Sequence, residues 1–126
     1  MAKLDPAGRG PGPLVEGFSG TGFRAAGRLF AGGLLLTPMD AIDWAAPPLA
    51  ALGEEALAPL LAIDPVPEFV LLGTGAALVR PPAALTGALE ARDIGLEAMD
   101  SRAAARAWGL LRGEGRWIAA ALMPLA

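Results

Sequence analysis

The stretch from Glu68 to Leu85 constrains the fold more than any other part of this chain. Its first residues, Glu68–Leu72, form an apolar run that predicts a short buried strand. Gly73-Thr74-Gly75 follows, and a glycine pair of this kind permits a tight turn or a close approach between two backbones. Pro81 and Pro82 then fit the first turn of a helix, where the N–H groups lack partners. Strand, glycine loop and helix together predict the beginning of an α/β unit.

The rest of the second half continues this alternation of strands and helices. The predicted elements are a helix from Pro82 to Ala91, a strand Ile94–Met99, a helix from Ser101 to Arg112 and a strand Trp117–Leu122. The helix from Ser101 is predicted to bury Ala103, Ala104, Ala107, Trp108, Leu110 and Leu111. A β-α-β-α-β order implies right-handed crossovers between parallel strands.

The first half predicts antiparallel hairpins. The expected strands are Leu14–Phe18, Phe23–Ala26 paired with Arg28–Ala31, Leu34–Thr37 and Ile42–Ala45. A weak helical pattern covers Leu52–Ala62, and Pro59 is expected to kink or end it. The predicted fold class is therefore α/β, with these hairpins and the parallel crossovers in a single mixed sheet that has helices on its faces, a three-layer sandwich.

Length and local composition predict one domain behind a short leader. The Pro- and Gly-rich residues 1–13 are expected to be a disordered leader, dispensable for folding, and residues 14–126 a single domain. The leucines and isoleucines of the second half supply the predicted core: Leu71, Leu72, Leu85, Leu89, Ile94, Leu96, Leu111 and Ile118.

Composition excludes several classes of chemistry. The chain contains no cysteine and no histidine, which removes disulfides, thiol chemistry and the commonest general base and metal ligand. We therefore expect no catalytic triad, no metal site and no cofactor. A net charge of −3 and the lack of a basic stripe argue against nucleic acid as a partner. The apolar runs are too short to span a bilayer and no signal peptide is visible, which predicts a soluble cytoplasmic protein.

Three segments make the chain recognisable: FVLLGTGAALVRPPAAL, IGLEAMDSRAAARAW and RWIAAALMPL. They resemble a small family of single-domain proteins that includes bacterial and archaeal proteins of unknown function and the mitochondrial complex I assembly factor 3. The resemblance runs from about Val15 to Leu125. In this family the second segment usually reads Met-x-Ser/Thr, a small-residue run, then Arg, Thr, an aromatic residue and Asn. Met99, Ser101, Arg106 and Trp108 match that pattern, whereas Ala107 and Gly109 depart from it.

Two interpretations of the glycine loop follow from its surroundings. Gly73-Thr74-Gly75 resembles a phosphate cradle, but Leu78 replaces a third glycine and Pro81 and Pro82 remove donors at the helix start. The simpler interpretation is a tight strand exit. Because parallel strands share their carboxyl edge, the loop is also expected to lie beside Asp100 and Ser101, the predicted N-cap region of the next helix. The candidate ligand-binding set for one anionic group, such as a carboxylate, is Thr74, Gly75, Arg80, Ser101 and Arg106.

A second polar cluster comprises Asp40, Asp43 and Trp44. Two carboxylates at this spacing suit an acid/base pair or a hard metal ion. A loop with a capping aspartate and a buried tryptophan explains the same residues more simply.

Two functions from different classes remain open. The preferred one is a non-enzymatic interaction or assembly protein, for which the resemblance implies a respiratory-complex subunit as partner. The alternative is a small-molecule binder or enzyme that holds a carboxylate in the crevice at the strand ends. A closed pocket at that edge favours the second hypothesis, and an exposed apolar patch favours the first.

Overall fold

A five-stranded mixed sheet forms the centre of the protein, for which a computed structural model describes residues 10–126. Its strands, in the order β5-β4-β8-β6-β7, are β4 Leu34–Leu36, β5 Ala41–Asp43, β6 Phe69–Gly73, β7 Gly95–Met99 and β8 Ala119–Leu122. β6 pairs in parallel with β7 and with β8, while β4 runs antiparallel to β8 and β5. The predicted mixed α/β fold, with hairpin strands followed by parallel crossovers, is confirmed.

Helices cover both faces of this sheet. The α-helices of residues 10–126 are α1 Ala58–Leu61, α2 Ala83–Glu90 and α3 Ser101–Gly113. The chain steps from β6 through α2 to β7 and then returns through α3 across β6 to β8. These two crossovers run in opposite directions, so right-handed connections place α2 and α3 on opposite faces. Within the described residues, no helix is long and apolar enough to cross a membrane.

Alternation along β6 divides the core into two layers. Leu72 packs with Leu85 and Leu89 of α2 on one face, while Leu71 packs with Trp108 of α3 on the other. Neighbouring residues of a strand point to opposite faces, and β6 is apolar on both because both faces are covered.

The hairpin strands nearest the N-terminus form a sheet of their own, which corrects the prediction that all strands share one sheet. The strands β1 Val15–Ser19, β2 Gly22–Ala25 and β3 Arg28–Phe30 pair antiparallel in the order β1-β2-β3. The predicted turn at Ala26-Gly27 is confirmed, since both residues have positive φ. The inner residues Phe23, Ala25 and Phe30 pack into the α3-side core. The small sheet therefore packs as a separate element against α3 and the main sheet, and it buries its apolar face there.

Six of the eight predicted core residues are fully buried: Leu71, Leu72, Leu85, Leu89, Ile94 and Ile118. Leu96 and Leu111 are partly buried at the edges of the two clusters. The expectation that Leu110 lies on the buried side of α3 is wrong, because its side chain is 68% exposed. Leu110 follows Arg106 by one helical turn, so both project from the outer face of α3.

Pro59 lies in the first turn of a helix, where the sequence predicted that it would kink or end one. A 3₁₀ turn, Glu54–Leu57, leads into the single turn of α1, and Pro59 occupies the first turn of that helix. The missing N–H of proline costs nothing there, because the N–H groups of a first helical turn have no acceptor within the helix.

The last part of the predicted leader lies against the domain. The indole N–H of Trp108 donates to the Pro13 carbonyl at 2.8 Å, and Arg112 Nε donates to the Pro11 carbonyl at 3.0 Å. Gly12 passes so close to the Pro38 carbonyl that a Cβ on it would lie 2.0 Å from that oxygen. Residues 10–13 therefore belong with the domain, and residues 1–9 of the predicted leader lie outside the described residues.

Two N-terminal deletions should separate these parts of the leader. Removing residues 1–9 should leave the thermal midpoint of unfolding close to that of the full chain. Removing residues 1–13 should lower the free energy of unfolding by about 1–3 kcal/mol, because the buried indole N–H of Trp108 loses its acceptor. Chemical denaturation of both deletions measures the difference. Equal stability of the two would show that the contacts of residues 10–13 contribute nothing.

Candidate functional site

The loops after β6 and β7 lie side by side at one edge of the main sheet. The two strands are in register up to the pair Gly73–Met99. Beyond it, the Thr74 N–H donates to the Met99 carbonyl and the Ser101 N–H donates to the Gly75 carbonyl, both at 2.8 Å. The predicted proximity of the glycine loop to the start of α3 is therefore confirmed.

The hydroxyl of Ser101 joins three segments of the chain at this edge. Ser101 is fully buried, and its Oγ accepts from the Gly75 N–H at 2.9 Å and donates to the Met123 carbonyl at 2.7 Å. Met123 in turn donates its N–H to the Gly73 carbonyl at 3.0 Å. The capping role belongs to Asp100, whose carboxylate accepts from the Ala103 N–H at 2.9 Å. The Gly75 N–H and the Ser101 hydroxyl are thus bonded within the protein, at the place where an anion was expected.

The glycines of the loop permit this close packing. A Cβ on Gly73 would lie 2.7 Å from Ser101 Oγ and 2.8 Å from Ser101 Cα. Gly75 has a φ of +105°, and a Cβ there would lie 3.1 Å from the Pro124 carbonyl. This geometry supports the interpretation of the loop as a tight strand exit.

Replacing Gly73 by alanine should destabilise the protein by about 1–3 kcal/mol, because the new methyl group has no room beside the Ser101 backbone. Gly87→Ala is the matched control: Gly87 lies in α2, where a Cβ meets no atom within 4 Å. The control should stabilise the protein by up to about 1 kcal/mol through helix propensity. Urea titrations of both variants provide the measurement. A neutral Gly73→Ala would contradict the close packing of the loop on α3.

The two arginines of the candidate set line two separate surface depressions. Arg80 is exposed and lies with Thr86 and Glu90 along a depression beside α2. Arg106 is exposed and lines a groove beside β1. The hydrogen bonds between the two loops bring Thr74, Gly75 and Ser101 together, and none of these three residues lines either depression. Convergence of all five residues on one anion stays a prediction.

The glycine loop instead presents an apolar surface, here called the edge loop, residues Ala76–Val79. The Thr74 hydroxyl fixes its shape by donating to the Ala77 carbonyl at 2.7 Å and accepting from the Val79 N–H at 3.0 Å. All residues of the loop are exposed, with Leu78 at 63% and Val79 at 50%. Leu78 was noted from the sequence only as the residue in place of a third glycine, and neither Leu78 nor Val79 was predicted to bind a partner. The sequence does contain a signal of their exposure. Two large apolar residues follow the end of the strand and precede the helix, in the loop between Gly75 and Pro81.

The cluster around Asp40 fits its simpler interpretation in part: Trp44 is buried as expected, but Thr37 and not an aspartate caps the turn, and Asp43 lies in β5. The Thr37 hydroxyl accepts from the Asp40 N–H at 2.9 Å in the turn between β4 and β5, and both Asp40 and Asp43 are exposed. Trp44 is buried in the α2-side core. Over residues 10–126, no group of acidic side chains is arranged to hold a metal ion.

The carboxyl group of Glu68 has a shifted pKa and lies at the end of the sheet opposite the edge loop. Glu68 precedes β6 and accepts from Arg116, with 2.7 Å between Oε1 and Nη2. This hydrogen bond lowers the pKa of Glu68, and the charge of Arg116 acts in the same direction. Both side chains are substantially exposed, so the pair is a surface ion pair far from the edge loop.

Similar proteins come from bacteria and from vertebrates. An uncharacterised protein of Rhodobacter capsulatus is 34% identical over 125 residues, which cover 99% of this chain and 94% of that protein. The zebrafish (Danio rerio) NADH dehydrogenase [ubiquinone] 1 alpha subcomplex assembly factor 3 is 29% identical over 113 residues, and this match spans 90% of the present chain but 65% of the assembly factor.

A solved structure shares the fold. The solution structure of a Bordetella pertussis protein, described as a Mth938-like domain, superposes with a TM-score of 0.78 at 24% identity, covering 100% of this chain and 93% of that one. At this identity the likeness establishes the fold. The family described as protein of unknown function (DUF498/DUF598) matches residues 15–123, almost the whole described domain. The chain therefore belongs to the DUF498/DUF598 family.

Proposed function

We propose that this protein is a non-enzymatic interaction domain that takes part in the assembly of a protein complex and docks through its edge loop. The exposure of Leu78 and Val79 on a loop of fixed shape is the observation that supports this proposal most directly. Large apolar side chains held outward, and not folded into the core, are typical of surfaces that a partner covers.

The chemistry of the edge favours binding by contact over catalysis. The Gly75 N–H donates to Ser101 Oγ, and the Thr74 hydroxyl donates to the Ala77 carbonyl within the same loop. None of these polar groups is aimed outward to hold a small anion. The alternative hypothesis, an anion site made by all five predicted residues, would need Arg80 and Arg106 to converge on this edge.

Similarity to the vertebrate assembly factor suggests the kind of partner. The zebrafish relative is named for the assembly of NADH dehydrogenase, and the present chain spans 65% of its length. By this similarity the proposed partner is a subunit of a respiratory complex, with an apolar surface that receives Leu78 and Val79. The cytoplasmic location predicted from the sequence stays a prediction.

A paired capture experiment tests the proposal. The parent protein and a Leu78→Ser/Val79→Ser variant are used to capture partners from native lysate of the source cells, followed by mass spectrometry. We expect respiratory-complex subunits to bind the parent and to be lost with the double variant, while the thermal midpoint stays unchanged because both side chains are exposed.

Leu29→Ser is the matched control. Leu29 is 49% exposed on β3, outside the edge loop, so this variant should retain the partners. Equal capture by the parent and the double variant would contradict docking through the edge loop. Loss of capture with Leu29→Ser alone would place the interface elsewhere.

A further inference from the structure

A second surface is the outer edge of β7, which ends the main sheet in the order β5-β4-β8-β6-β7. β7 pairs with β6 over all five of its residues, Gly95–Met99, in an unbroken parallel register. The irregularity between Val15 and Gly17 in the small sheet has no counterpart in this pairing. On its other side β7 therefore presents a regular strand edge, with no strand of residues 10–126 beside it.

The backbone groups of β7 alternate between β6 and the outer edge. The Gly95 N–H donates to, and the Met99 carbonyl accepts from, residues that directly flank β6, so both of these β7 residues bond toward β6. Alternation then turns the N–H and C=O groups of Leu96 and Ala98 outward. Within residues 10–126, no backbone hydrogen bond from beyond the strands reaches either of them. Two donors and two acceptors are thus available to an added strand.

One carboxylate stands in the middle of this edge. Leu96 packs against the α2-side core and Met99 against the α3-side core. Glu97 lies on the same face of the strand as Met99, because residues two apart share a face, yet it is exposed. Among residues 10–126, no ion pair includes Glu97. Its carboxylate is therefore free to meet a side chain of an added strand.

The charges along β7 select the chemistry of such a strand. The arginines at the two ends of this segment make contacts elsewhere: Arg92 pairs with Glu54 at 3.1 Å, and the Arg102 guanidinium lies 5.3 Å from the centre of the Phe18 ring. Residues 93–100 contain no lysine or arginine but have three carboxylates, Asp93, Glu97 and Asp100. A local excess of negative charge favours a basic partner.

We infer that the outer edge of β7 binds an extended basic segment of a partner protein, which adds a strand to the main sheet and places a lysine or arginine beside Glu97. In this mode of recognition, backbone hydrogen bonds supply affinity and alternate side chains supply specificity. Leu96 and Ala98 would provide the backbone groups, and Glu97 would provide the preference for a cation.

A second copy of this chain is a poorer occupant of the edge. A two-fold axis through the sheet would pair the two β7 strands antiparallel. The pairing that uses Leu96 and Ala98 of both copies places Glu97 opposite Glu97 of the other copy. Like charges directly opposite each other destabilise a strand pair.

The probe is a capped peptide of alternating lysine and valine, about as long as β7 and with lysine at its centre. It is titrated into the full chain, and amide hydrogen exchange is followed by NMR. Without peptide, the Leu96 and Ala98 amides should exchange faster than the Glu97 amide, which faces β6. At a free peptide concentration ten times the Kd, exchange at Leu96 and Ala98 should slow by about tenfold, because only unbound protein exchanges.

Two changes to the peptide test its orientation and charge. Methylation of the valine backbone nitrogens should abolish binding, because these nitrogens donate toward β7 when lysine lies opposite Glu97. Methylation of the lysine backbone nitrogens should be tolerated, since they face away. A glutamate–valine peptide of equal length should leave the exchange of Leu96 and Ala98 unchanged.

Substitution of Glu97 tests the role of its charge. Glu97→Gln should weaken binding of the lysine–valine peptide by about two- to fivefold, the usual range for an exposed ion pair. Glu97→Lys should reverse the preference between the lysine and glutamate peptides. Asp43→Asn is the matched control, because it removes an exposed carboxylate from β5 at the opposite edge of the same sheet. It should bind as the parent does, and the thermal midpoint of each variant should stay unchanged.

This test is independent of the proposed function, because the edge loop lies outside β7. The Leu78→Ser/Val79→Ser variant should therefore bind the peptide like the parent. Unchanged exchange at Leu96 and Ala98 with the lysine–valine peptide would overturn the inference, and equal binding of the glutamate peptide would remove the role of charge. A dimer in sedimentation, with concentration-dependent protection of the same two amides, would assign the edge to a second copy of this chain.

Discussion

Trp108→Ala is expected to lower the free energy of unfolding by about 3–5 kcal/mol, the largest loss among the substitutions considered for this protein. The side chain is fully buried in the α3-side core, between the main sheet and the small sheet. Its indole N–H also donates a hydrogen bond to the Pro13 carbonyl. Truncation therefore opens a cavity and releases the N-terminal segment at the same time. Denaturation by urea, followed by far-ultraviolet circular dichroism, measures the loss.

The same helix supplies the control for Trp108. Leu110 is 68% exposed two residues further along α3, and Leu110→Ala should change stability by no more than about 0.5 kcal/mol. Trp108→Phe keeps much of the ring but removes the donor, so its loss should fall between the two. Similar losses for Trp108→Ala and Leu110→Ala would contradict the orientation of α3.

Leu72→Ala is expected to cost about 2–5 kcal/mol, because the side chain is fully buried on β6, an interior strand between β8 and β7. It packs against α2, so the cavity would open in the other layer of the core from that of Trp108. Leu78→Ala is the matched control, since Leu78 is 63% exposed on the edge loop and should leave stability almost unchanged. The same urea titration serves both variants. A cost near zero for Leu72→Ala would place β6 at the surface and contradict the topology.

These two losses should add when the substitutions are combined. Leu72 and Trp108 belong to separate clusters on opposite faces of the sheet. Independent sites are usually additive within about 0.5 kcal/mol. A clearly smaller sum would indicate that the two layers of the core relax together.

The location of the candidate edge followed from local sequence patterns. The apolar run before Gly73, the prolines at the start of α2 and the N-cap at Asp100 fixed the order strand–helix–strand–helix–strand. Because parallel strands share their carboxyl edge, Thr74 and Ser101 had to approach each other. The side-chain chemistry of that edge did not follow, since a serine after an N-cap has the same pattern whether it faces a ligand or another loop.

The sequence by itself determined the α/β class, the parallel crossovers and most of the core, because these depend on periodicity and chain breakers that act over a few residues. Only the tertiary structure decided that β1–β3 form a separate sheet, since a hairpin buries the same face against either neighbour. It also decided that the Ser101 hydroxyl donates to the Met123 carbonyl, that Leu78 and Val79 are exposed, and that Arg106 lies beside β1. Each of these outcomes depends on contacts between residues far apart in the chain, such as Ser101 with Met123 and Trp108 with Pro13. Local pattern does not encode such contacts, because they form only when the layers pack.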